Sequence, residues 1–139
     1  MTPKEYLSQY RMCVQMISDA RDDIERARND AAGLKAIAYD DMPKNPNIER
    51  DLSDSVALIE EKVRRYRATV EVCDDLMRRI ETSIQTAPTK LQYRILRLKY
   101  IDGMKWQDIA ETVGKTRQWV NTQHGIALQN IRIYERDKA

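Results

Sequence analysis

The sequence predicts an all-α protein, a long antiparallel helical hairpin followed by a three-helix module built on a helix-turn-helix. Three observations predict it. Apolar or small residues recur at alternating steps of four and three through two long stretches, the rhythm of helices with a narrow buried stripe. Gly and Pro number only four each in 139 residues, so there are few places to break a helix. Residues 105–124 spell two short helices about a glycine turn. Phe is absent and charged residues reach 33%, which favours long solvated helices over one thick core.

The first helix is carried by Tyr6, Tyr10, Cys13, Ile17, Ala20, Ile24, Ala27, Ala31 and Leu34, four heptads without a slip. Charged residues flank the stripe (Arg21, Asp22, Asp23, Glu25, Arg26, Arg28) and predict a solvated face with weak intrahelical pairs. A stripe this narrow cannot make a core alone, so it needs a partner.

The second helix supplies one. After a loop over residues 40–47, where Pro43 and Pro46 oppose regular helix, the rhythm returns through Leu52, Val56, Ile59, Val63, Tyr66, Val70, Cys73, Met77, Ile80 and Ile84. Asp51 is the expected N-cap, with Asp54 in the first turn. Folding Leu34 back on Leu52 sets a register. Its layers are Ala31/Val56, Ala27/Ile59, Ile24/Val63, Ala20/Tyr66, Ile17/Val70, Cys13/Cys73, Tyr10/Met77 and Tyr6/Ile80, with small residues meeting large ones in the middle. At 1.5 Å per residue the hairpin is roughly 40–50 Å long. A slip of one heptad, or pairing with a second chain, would keep the same stripes.

Residues 86–90 interrupt the second helix, with Pro88 suited to the first turn of a new one. Leu91, Ile95, Leu96 and Leu98 then form an amphipathic helix to Tyr100, closed by Gly103 as C-cap. Residues 1–86 are thus expected to be a coiled-coil-like interaction or dimerisation hairpin, and residues 87–139 a separate module carrying the helix-turn-helix.

In that module Ile109, Ala110 and Val113 share a face of one short helix. Gly114 stops it by taking a left-handed backbone. Thr116 caps the next helix, and Val120 points back to Ile109 and Val113. Ala110 is small where the helices approach. The last helix carries Ile126, Ala127, Leu128, Ile131 and Ile133 into a basic end at Arg132, Arg136 and Lys138. Trp106 and His124 are expected to pack. Trp119 lies either over a sugar-phosphate backbone or, the slightly better reading, against the 91–100 helix.

In a helix-turn-helix the second helix enters the major groove of double-stranded DNA. With Thr116 as cap and Val120 inward, the outward residues are Arg117, Gln118, Asn121 and Thr122. Arg pairs bidentately with guanine, Gln and Asn with adenine, and Thr meets a thymine methyl. Lys105, Lys115 and Thr116 are expected to hold phosphates, which fix position without reading sequence. The charge distribution agrees. Residues 86–139 carry ten Lys/Arg against five Asp/Glu, whereas residues 1–85 carry fourteen against seventeen.

Other functions find little support. No apolar run approaches the roughly 20 residues of a membrane span, and no signal peptide is visible. Cys13 and Cys73 lack metal-ligand spacing, and the chain has a single His. No nucleophile–base pair or carboxylate constellation appears. The expectation is a cytoplasmic, reduced protein that is not an enzyme and uses no metal or cofactor. Leu7, Met12 and Met16 widen the first helix's stripe. They point to a second interface for self-association or for docking to RNA polymerase, unless they pack beneath the C-terminal module.

The pattern of Leu91, Ile95, Leu96, Leu98 and Tyr100, then Trp106, Ile109, Ala110, Val113, Gly114, Thr116, Arg117 and Val120, then Ala127, Leu128, Ile131 and Arg132 resembles region 4 of sigma-70 family factors. That region is the helix-turn-helix that reads the promoter −35 element. No segment resembles region 2, with which sigma factors open promoter DNA. The arrangement is similar to phage-encoded regulators of the RinA/ArpU type. These join a helical N-terminal part, a loop like Met42-Pro43, and a sigma-like module that Trp106, Ile109, Ala110, His124, Ala127 and Leu128 fit. The resemblance implies a transcriptional activator of phage late packaging or morphogenesis genes, acting in the host bacterial cytoplasm. Two rivals share parts of the pattern: a small terminase-like packaging subunit, which would form large rings, and an RNA polymerase-binding or anti-sigma protein in which the hairpin matters most.

Overall fold

In the computed structural model, which describes residues 1–38 and 46–135, Thr2 and Glu5 open the first helix by satisfying one another's backbone. The Glu5 N–H donates to Thr2 Oγ1 and the Thr2 N–H to Glu5 Oε2, both at 3.2 Å. This capping box, with Pro3 in the first helical position, starts α1 at Pro3 and carries it to Ala38. α2 runs Pro46–Gln85. After a break come α3 (Lys90–Leu96), a π-helical segment (Arg97–Ile101), α4 (Trp106–Val113) and α5 (Arg117–Asn130). Every regular element among the described residues is helical.

Five sequence expectations are corrected here. Pro46 does not oppose α2 but begins it, because the first turn of a helix needs no N–H from that residue; Asp51 is therefore inside the helix and not its N-cap. Pro88 lies before α3, and Thr89 is its cap, the hydroxyl accepting the Gln92 N–H at 3.1 Å. The expected Leu91–Tyr100 helix is α-helical only to Leu96. It continues as a π-helix in which the Asp102 N–H reaches back five residues to the Arg97 carbonyl. Ile133 is not in the last helix, since α5 ends at Asn130 and residues 132–135 form an irregular tail. The loop motif Met42-Pro43 and the basic residues Arg136 and Lys138 lie outside the described residues.

The chain forms two compact units, Met1–Val14 with Cys73–Ala139, and Gln15–Val72. Where the sequence suggests a division at 86/87, these units divide at 14/15 and 72/73. The smaller unit is made from the later part of α1 and the earlier part of α2. Ile24, Ala27 and Ala31 are buried in it. One groove is lined by Ile24, Val63 and Tyr66, and another by Leu34, Asp51 and Ser55. Val56 does not cover Ala31 as the register proposes, being 52% exposed, while its neighbour Ser55 is half-buried. Both residues follow Leu52 at a helical step, three or four residues on, and the apolar one faces solvent. Arg65 pairs with Glu61 at 2.8 Å on the solvated side, a contact worth only tenths of a kcal/mol.

In the larger unit the start of α1, the end of α2 and the C-terminal helices share one core of Tyr6, Leu7, Tyr10, Ile80, Ile84, Leu96, Tyr100, Ala127 and Ile131. Leu7 is fully buried there, so it is core and not part of a second interface; Met12 and Met16 stay exposed. Cys13 and Cys73 are both buried and free, and Cys73 is close enough to act on the Cys13 thiol, as the expected layer requires. The tail closes this unit. The Tyr6 hydroxyl donates to the Tyr134 carbonyl at 2.7 Å, and the buried Ser83 hydroxyl accepts the Tyr134 N–H at 3.3 Å. The Arg132 N–H donates to Thr86 Oγ1 at 2.8 Å.

Candidate nucleic-acid interface

α4 and α5 meet at a turn whose backbone is closed by three consecutive residues. Gly114 adopts φ 70°, ψ 33°, the left-handed region a side chain resists. Its N–H donates to the Glu111 carbonyl at 3.3 Å, and the Lys115 N–H to the Ala110 carbonyl at 3.1 Å, the paired bonds of a Schellman turn. Thr116 then takes an extended backbone, and its Oγ1 accepts the Trp119 N–H at 3.2 Å to cap α5. Behind the turn, Ile95, Ile109, Ala110 and Val120 make a second small core. Ile109 and Val120 are fully buried in it, and Leu91, Leu98, Met104, Trp106, Val113 and Trp119 pack around them.

That core fixes which face of α5 is turned outward. Val120 and Ala127 are buried, and Arg117, Gln118, Asn121 and Thr122 are all exposed. At 3.6 residues per turn these four occupy neighbouring positions on two successive turns. The Thr122 hydroxyl donates to the Gln118 carbonyl at 3.0 Å, an internal bond within the helix. Lys105 stands immediately before α4, Lys115 and Thr116 immediately before α5, and all three are exposed. Thr116 accepts at the cap through its oxygen, which leaves its O–H as a donor. An open groove of about 610 Å³ runs between the helices and is lined by Gln107, Glu111, Lys115, Arg117 and Trp119. Lys115 Nζ lies 5.4 Å from the centre of the Trp119 ring, within the range of a cation–π contact.

Trp119 is half-buried against the second core, as the packing reading anticipates. Ile126, by contrast, is 39% exposed and contributes to neither core.

Two polar contacts hold α5 to the helices before it, and neither is visible in the pattern of the sequence. Gln92 of α3 is buried, and its Nε2 donates to Gln123 Oε1 at 3.0 Å. The Tyr100 hydroxyl and His124 Nε2 are 2.7 Å apart, and the Trp106 ring meets the imidazole edge-on with ring centres 4.6 Å apart. Burial pushes the His124 pKa down to about 4, helped by nearby Lys4 and Lys99, and pushes Tyr100 up to about 12. Both groups are therefore neutral near pH 7, and the imidazole tautomer sets which of them donates in the bond they share. Lys99 completes the cluster, its Nζ lying 4.8 Å from the Trp106 ring centre and 3.4 Å from the Met104 carbonyl it donates to.

No group of His, Cys, Asp and Glu among the described residues is placed to hold a metal ion. No helix among them is long and apolar enough to cross a membrane. No family model, curated protein or solved structure matches the chain.

Proposed function

We propose that the chain is a sequence-specific DNA-binding transcriptional regulator whose α5 reads the major groove. The observation that carries this reading is the outward face of α5. A rigid turn and two buried anchors present Arg117, Gln118, Asn121 and Thr122 together, with Lys105 and Lys115 at the adjoining helix starts. Those four side chains match the hydrogen-bonding edges of bases, and lysines beside them suit phosphates. The resemblance to sigma region 4 and to RinA/ArpU-type regulators extends the proposal to activation of phage late genes. In that reading the long helices serve self-association or contact with host RNA polymerase.

The test is selection of duplexes from a random library, followed by footprinting of the recovered site. Arg117→Ala should relax preference at one base position and cost about 1–3 kcal/mol of binding. Unchanged affinity and preference in that variant would remove α5 as the reading helix.

A further inference from the structure

Gly125 sits in the third turn of α5 with nothing among the described residues to explain it. Its backbone is ordinary helix, because the glycines with positive φ are Gly103 and Gly114. It is exposed, and a Cβ built on it would meet, beyond its own stretch of helix backbone, no atom of the described residues within 4 Å. Glycine is among the least favourable residues in a helix interior, so this position gives up helix stability without a return in turn geometry or packing. Its place on the helix is specific. Gly125 lies one turn beyond Asn121 and about two beyond Arg117 and Gln118, within the exposed face they define.

The spacing has a counterpart in DNA. Arg117 and Gly125 are eight residues apart, or roughly 12 Å along the axis at 1.5 Å per residue. The major groove of B-DNA is about 12 Å wide. A helix whose first turn meets bases near one wall of the groove brings its third turn to the other wall.

Resting on the reading of α5 as the DNA-reading helix, we propose that Gly125 is where the sugar-phosphate backbone of the duplex passes in van der Waals contact with the helix backbone, a position that any side chain would hold off. Such a contact sets how the helix lies across the groove and carries no sequence information of its own.

The experiment compares Gly125→Ala, Arg117→Ala and Gly33→Ala on a labelled duplex selected by the unaltered protein. Gly33 is also exposed and helical, with nothing within 4 Å of a built Cβ, and serves as the control for gain of helix propensity. Gly125→Ala should melt a few degrees higher, as Gly33→Ala should. It should also bind about tenfold or more weakly, on selected and unselected duplexes alike, with base preference unchanged. Wild-type affinity in Gly125→Ala beside a weakened Arg117→Ala would overturn the proposal and leave the reading of α5 intact. Loss of stability in Gly125→Ala would also overturn it, by showing that the fold itself requires the glycine. Indifference of both variants, or failure of the protein to select any duplex, would remove the reading and the proposal together.

Discussion

The Tyr100 hydroxyl stands 2.7 Å from His124 Nε2, joining the π-helical segment to the middle of α5 through one hydrogen bond. With the Tyr100 pKa raised to about 12 and that of His124 lowered to about 4, phenol and imidazole are both neutral over the working range of pH. Protonating His124 leaves both its ring nitrogens as donors only and places a cation near Lys4 and Lys99. The folded pKa is below the ordinary value of about 6.5, so the unfolded chain takes up the proton first. The stability due to neutral His124 is complete above about pH 6.5 and is lost as pH falls toward 4. His124→Gln keeps an acceptor for Tyr100 without a titrating group. Its melting temperature should therefore fall less than the parent's across that window. Parallel curves would show that His124 is not the group responsible.

Gly103 and Arg11 make a second such pairing. Gly103 has φ 70°, and a Cβ there would lie 2.8 Å from Arg11 Nε. The same guanidinium donates from its Nη1 to the Ile101 carbonyl at 3.1 Å, closing the end of the π-helical segment. Gly103→Ala should cost about 1–2 kcal/mol from the left-handed backbone alone, and more because Arg11 must move. Arg11→Ala relieves the second part only. Chemical denaturation of the two single variants and the double variant should show a double-variant loss smaller than the sum. Strict additivity would mean that Arg11 yields without cost.

How far the sequence could be read depended on the range of the signal. Gly114, Thr116 and Val120 lie within seven residues and act on their own backbone, so their roles could be stated from residue type and spacing. The Cys13/Cys73 layer was legible because two heptad series constrain each other near the closed core. Val56 was not, because Ser55 and Val56 both satisfy the rhythm after Leu52 and periodicity cannot choose between them. The Thr2–Glu5 capping box was a local signal that the apolar stripe, beginning at Tyr6, obscured. Contacts such as Tyr100 with His124, Gln92 with Gln123 and Tyr6 with the Tyr134 carbonyl join different elements, and no spacing rule reaches them. For the candidate site, the outward face of α5 followed from its inward residues.

Cys13 and Cys73 should behave as inert thiols in the folded protein. Burial, reinforced by the neighbouring Cys73 thiol, pushes the Cys13 pKa up to about 11, and the thiolate is the reactive form. Alkylation by iodoacetamide at mildly alkaline pH should be slow in buffer and rapid in denaturant. Rapid modification of the native protein would mean that the base of the long helices opens readily.

Lys115 provides a test that separates holding DNA from reading it. It is exposed immediately before α5, and its ammonium lies over the Trp119 ring at the edge of the open groove. In the proposed complex it neutralises one phosphate. Replacing it removes one released counterion from the binding equilibrium, so the slope of log affinity against log salt should fall by about one unit in Lys115→Ala. Binding should weaken to a similar extent on selected and unselected duplexes, with base preference unchanged, whereas Arg117→Ala should alter preference. Titrations of both variants at several salt concentrations distinguish the roles. A change of base preference in Lys115→Ala, or an unaltered salt slope, would take Lys115 off the phosphate backbone.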